Sequence, residues 1–85
     1  MTIQTFVFNA FQENTLVVFD ETNEAVVIDP GCYEASERAQ LDHFISTHQL
    51  KIKYLLNTHC HIDHVLGNDH VKEKYGVKLL ILVHQ

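Results

Sequence analysis

Four side chains able to bind a metal ion, His59, His61, Asp63 and His64, fall within six residues of one another. In an extended stretch, side chains two positions apart point to the same side. His59 and His61 can therefore aim two imidazoles at one ion while Cys60 and Ile62 point the other way. A turn after Ile62 would swing Asp63 and His64 to a neighbouring position, and the four together could serve one or two ions. Imidazole nitrogen with carboxylate oxygen suits zinc, with iron or manganese as alternatives. An ion held this way lowers the pKa of bound water towards about 7, which gives hydroxide at neutral pH, and polarises a scissile carbonyl. The chemistry indicated is hydrolysis.

The elements around this cluster decide whether it can be a site. Ile3 to Phe8 alternate, with Phe6 and Phe8 on one face and Thr5 and Val7 on the other, which predicts a strand. Leu16–Phe19 and Ala25–Ile28 are two further apolar, β-branched runs joined by the polar stretch Asp20–Glu24, a hairpin pattern. Asp29-Pro30-Gly31 stops the third strand, because proline removes a ladder donor and glycine permits a sharp turn. From Ser36 the period changes: Leu41, Phe44, Ile45 and His48 form one helical stripe. Lys51–Leu56 returns to a strand, with Ile52, Tyr54 and Leu56 expected on one face. A second helix is expected from near His64 or Gly67 to Tyr75, ended by Gly76 in a left-handed turn. The nearly continuous apolar run Val77–Val83 predicts a last strand buried on both faces. Hairpins that lead into βαβ units give an α/β (α+β) fold, a mixed sheet with two helices. The His cluster then starts where a buried strand ends, the usual place for ligand sites in such sheets.

Composition narrows the function classes. A chain of 85 residues makes one small domain at most, and 46% hydrophobic with 20% charged residues is the balance of a soluble globular protein. The net charge of −5, without a basic run, argues against nucleic acid as partner. The amino terminus lacks a signal-peptide pattern and no apolar run could cross a bilayer, so a cytoplasmic location without membrane attachment is expected. Cys32 and Cys60 read as free, inert thiols, and His43, His48 and His70 as surface or partly buried residues. His84 has no motif around it. Asp29 has two readings, a turn residue bonding local amides or a partner that orients a metal ligand.

Thr58-His59-Cys60-His61-Ile62-Asp63-His64 resembles the T-H-x-H-x-D-H motif of the metallo-β-lactamase superfamily at every defined position. Val26-Val27-Ile28-Asp29-Pro30-Gly31 resembles that family's apolar strand ending in Asp-Pro-Gly. Asn14-Thr15-Leu16-Val17-Val18 is similar to the second strand of its glyoxalase-II-like members. The resemblance spans essentially the whole chain. It implies the amino-terminal half of an αββα sandwich, so that residues 1–85 form a single partial domain. It assigns His59 and His61 to a first metal, Asp63 and His64 to a second, a catalytic part to Asp63, and supporting places to Asp29 and Thr58. The family's remaining ligands, a further His, a bridging Asp and a last His, come from later segments.

The function implied is hydrolysis of a small thioester or ester by a zinc-dependent enzyme of the hydroxyacylglutathione-hydrolase type. Other members with the motif are lactonases, β-lactamases, iron-dependent persulfide dioxygenases and nucleases. The alternative is a truncated, non-catalytic half-domain that binds metal and self-associates. Residues 77–83 carry one charge in seven, and an apolar strand of this kind predicts a homo-oligomer through that segment.

Overall fold

Alternation carries the first three strands as expected. The computed structural model describes residues 1–58 and 65–81. Strand β1 (Thr2–Phe8) pairs antiparallel with β2 (Glu13–Phe19), and β2 pairs antiparallel with β3 (Glu24–Ile28). Phe6 and Phe8 are buried while Thr5 and Val7 are exposed, the two faces read from the sequence. The β2–β3 turn closes through Asp20, whose carbonyl accepts from Asn23 N–H at 3.0 Å and whose carboxylate accepts from Thr22 N–H at 2.9 Å. β2 starts three residues before the apolar run that announced it, because Glu13 and Thr15 are polar yet buried.

Helix α1 (Ala35–Thr47) buries Leu41 and Ile45. Its first turn is tied down by Glu37, whose carboxylate accepts from the backbone N–H groups of Tyr33, Glu34 and Asn9. Burial alone would raise that carboxyl, but the three amides hold it below the usual range. Strand β4 (Lys51–Asn57) then runs parallel to β3, and helix α2 (Asn68–Tyr75) leads to β5 (Leu79–Ile81), parallel to β4. Gly76 ends α2 at φ 63°, its N–H donating to Lys72 O at 2.9 Å, the left-handed cap expected from the sequence. The sheet order is β1-β2-β3-β4-β5. One core joins residues from four strands and both helices, among them Phe8, Val17, Val27, Leu55, Leu41 and Val71. The helices therefore share one face of a mixed sheet, and the α/β class holds.

Two expectations need correction. Ile52, Tyr54 and Leu56 do not share a face. Ala25 pairs with Ile52 but Val26 pairs with Tyr54, so Lys53 is an extra residue in β4. This bulge turns the strand over. Ile52 packs on the core, Tyr54 is exposed, and Leu55 and Asn57 become the buried residues. The last strand is also not buried on both faces. β5 is the final strand in the sheet order, and Leu80 and Ile81 are 46% and 52% exposed. Only the face turned to the helices is covered, through the partly buried Leu79. Leu82 and Val83 lie outside the described residues.

Candidate metal-binding site

β3 and β4 run in the same direction, so their carboxyl ends leave the sheet side by side. Asp29 N–H donates to Leu56 O at 2.8 Å, which adds one rung beyond the end of β3. The chain then turns at Asp29 itself, whose φ of 52° lies in the left-handed region that Asp tolerates better than most residues. The turn leaves the carboxylate, in a residue only 5% exposed, against Thr58. Oδ1 accepts from Thr58 N–H at 2.7 Å and Oδ2 from the Thr58 hydroxyl. Asp29 therefore bonds a backbone amide, though not a local one: that amide belongs to Thr58, 29 residues on and just before His59.

The same corner also holds Gly67, the residue before α2. Pro30 O accepts from Gly67 N–H at 2.7 Å. Gly67 lies so close that a Cβ there would meet Cys32 Sγ at 2.5 Å and Pro30 O at 2.7 Å. A second tie is a reciprocal amide pair, in which Asn57 Nδ2 donates to Asn68 Oδ1 at 3.2 Å and Asn68 Nδ2 donates to Asn57 Oδ1 at 2.7 Å. Asn57 is buried, so this partner satisfies a polar group that would otherwise be costly to enclose. Residues 58 and 67 are therefore fixed against residues 29–31, and residue 57 against residue 68.

His59, Cys60, His61, Asp63 and His64, the residues on which the metal expectation rests, lie outside the described residues, as does His84. Among the described residues no group of three or more His, Cys, Asp or Glu could hold a metal ion. The donor set of 59–64, imidazoles with a carboxylate, has the chemistry zinc requires. The anchored ends fit such a use, since ligands are held by partners that are not ligands themselves.

Helix α2 is set by a separate clamp. Asp42 on α1 accepts from His70 Nε2 at 2.8 Å, from Tyr75 OH at 2.5 Å and from Lys74 Nζ at 3.3 Å. Burial pushes the Asp42 carboxyl up, but these donors outweigh it and hold it below its usual range. Burial and the same contact raise the Tyr75 phenol. Cys32 is buried beneath Gly67 with its thiol pushed up to about 11 by desolvation, which suits an inert packing role. Sequence reasoning gave no site role to Asn57 or Asp42, and read Gly67 only as a possible helix start. Only Asn57 had a local signal, a polar residue at a strand end directly before the motif.

Comparison with known proteins agrees with this fold. The metallo-beta-lactamase superfamily matches residues 8–84. A hydroxyacylglutathione hydrolase of Pelagibacter ubique is 42% identical over 65 residues, 76% of this chain and 25% of that protein. Hydroxyacylglutathione hydrolase GloC of Haemophilus influenzae is 35% identical over 79 residues, 93% of this chain and 35% of that protein. The crystal structure of BLEG-1 B3 metallo-beta-lactamase superposes with a TM-score of 0.82 at 26% identity, covering 92% of this chain and 35% of that one. The chain thus spans 25% and 35% of the lengths of these two curated relatives.

Proposed function

The chain belongs to the metallo-beta-lactamase superfamily, and from that premise we propose that it is the metal-binding part of a zinc-dependent thioester or ester hydrolase of the glyoxalase II type. The observation that supports this best is the corner at Asp29-Pro30-Gly31, which grips Thr58 on one side of the 59–64 segment and Gly67 on the other. His59 and His61 would hold one ion, and Asp63 and His64 a second, with Asp63 also moving a proton during the reaction. A bound ion supplies water of lowered pKa and polarises the carbonyl of the substrate. The chain's own contribution is positional: Asp29 fixes Thr58, and through it the start of the ligand-bearing segment. The hydroxyacylglutathione hydrolases among its relatives point to a small thioester as substrate.

Residues 1–85 act in this reading as one partial domain, and turnover belongs to protein that also supplies the family's remaining ligands. A cytoplasmic location completes the proposal; among the described residues no helix is long and apolar enough to cross a membrane. A second reading, a non-catalytic half-domain that binds metal and self-associates, is favoured by the open sheet face carrying Val7, Tyr54 and Leu80. The test is elemental analysis of untagged protein after incubation with zinc, beside hydrolysis of a hydroxyacylglutathione thioester. Zinc bound by the wild type and lost in a His59→Ala/His61→Ala double variant is the expected result. Metal content equal in the two proteins would refute the site. Chelator-sensitive turnover separates the enzyme from the half-domain.

A further inference from the structure

The corner at residues 29–31 is braced from below by a buried hydroxyl. Thr15 on β2 has no exposed surface. Its Oγ1 accepts from Gly31 N–H at 2.9 Å and donates to Asp29 O at 2.8 Å, so one side chain bridges the first and last residues of the corner. Glu13 Oε2 lies 2.9 Å from the same oxygen. A hydroxyl has one proton to donate, which the two acceptors share. Thr15 therefore stands one step behind Asp29. From it, contacts run through the corner to Thr58 by the Asp29 carboxylate and to Gly67 by the Pro30 carbonyl.

We infer that Thr15 is a positioning residue for Thr58 and Gly67, the residues before and after the proposed metal-binding stretch, acting on both through the Asp29-Pro30-Gly31 corner. The position matters because Asp29 turns in the left-handed region, a conformation that persists only when its surroundings hold it. Without the hydroxyl, Gly31 N–H loses the acceptor that pins the exit of the corner, and the corner can relax to an ordinary backbone geometry. Thr58 and Gly67 would then follow it. The consequence for metal affinity rests on the proposed role of the 59–64 segment; the consequence for the corner does not.

The experiment compares the full chain with Thr15→Val, which keeps the branched shape and removes the hydroxyl, and with Thr15→Ser, which keeps the hydroxyl. Amide hydrogen exchange is read at Thr58 and Gly67 against Val27 and Leu55, and zinc affinity is read by chelator competition. Thr15→Val is expected to speed exchange at Thr58 and Gly67 about tenfold or more, while Val27 and Leu55 stay within about twofold. Zinc should bind about tenfold more weakly, the lower end of the effect of outer partners of a metal site. Thr15→Ser should restore both readouts. If Thr15→Val does not fold, Thr15→Cys, with its weakly bonding thiol, takes its place. Exchange at Thr58 and Gly67 unchanged, or faster equally at all four amides, would overturn the inference, since a residue that only packs the core gives those results. A wild-type chain that takes up no zinc would refute the metal reading alone, and the exchange data would still decide the role of Thr15.

Discussion

Gly67→Ala tests the corner most sharply. Gly67 has φ −99° and ψ 3°, a backbone that alanine accepts, so any effect comes from the added methyl group. That methyl would stand 2.5 Å from Cys32 Sγ, 2.7 Å from Pro30 O and 3.2 Å from Cys32 N. Two of the three contacts are backbone atoms, which cannot rotate away. Overpacking of this kind costs about 1–3 kcal/mol. Separating the corner from α2 also stretches the Gly67 N–H to Pro30 O bond, worth about 1 kcal/mol. Replacing glycine stiffens the unfolded chain and returns about 0.4–1 kcal/mol. The net expectation is a loss of about 2 kcal/mol, or about 8–16 °C in melting temperature for a domain of this size. Urea unfolding followed by circular dichroism reads it directly. Cys32→Ala in the Gly67→Ala background removes the nearest clash, so the double variant should be less destabilised than the sum of the two single changes. A Gly67→Ala protein as stable as wild type, or strict additivity with Cys32→Ala, would mean that α2 does not press on the corner as described.

Asp42→Asn should lower stability at pH 7 by about 1.5–3 kcal/mol, the worth of hydrogen bonds to a charged group. Because the Asp42 carboxyl is held below its ordinary value of 3.8, its contribution is complete above that pH and lost as pH falls through the lowered value. Urea unfolding below pH 4 should therefore be steeper with pH in wild type than in Asp42→Asn, and parallel curves would refute the clamp. Zinc affinity should fall below about pH 6 as imidazoles protonate, and a pH-independent affinity measured by chelator competition would exclude His59 and His61 as ligands. The apolar open face, with Val7 61%, Tyr54 53% and Leu80 46% exposed, should make the chain associate at micromolar concentration. Light scattering that shows a monomer, unchanged by Leu80→Lys, would remove residues 77–83 as an interface.

Much of the fold was legible because its signals are local. Alternation placed β1, Asp29-Pro30-Gly31 marked the end of β3, and Gly76 marked the end of α2. Leu41 and Ile45 gave the buried stripe of α1. The failures share a cause. The bulge at Lys53 changes the phase of a strand without any glycine or proline to announce it, and β5 looked like an interior strand because its residues are apolar. For the site, the motif and Asp29 could be read, since both are contiguous. The contacts that fix Thr58, Gly67 and α2 could not. Thr15 reaches a corner 14 to 16 residues away, and Asp29 reaches Thr58 across 29. A hydroxyl on a strand, a glycine before a helix and an aspartate on a helix face are each unremarkable until the chain is folded.

The bulge in β4 bears on what kinds of change this gene segment can tolerate. Lys53 is an exposed residue in a Glu24 ion pair at 3.4 Å, and most side chains should be accepted there. As the extra residue it is also one the register does not need: without it Ile52 and Tyr54 still meet Ala25 and Val26, and Leu55 and Asn57 keep their faces. Removing the codon for Leu55 or Leu56, beyond the bulge, would instead reverse the phase of the positions that follow and point Asn57 away from Asn68. Residue count is thus held tightly beyond the bulge and loosely at it. A screen of single-codon deletions should show loss of Lys53 tolerated and loss of Leu55 or Leu56 not.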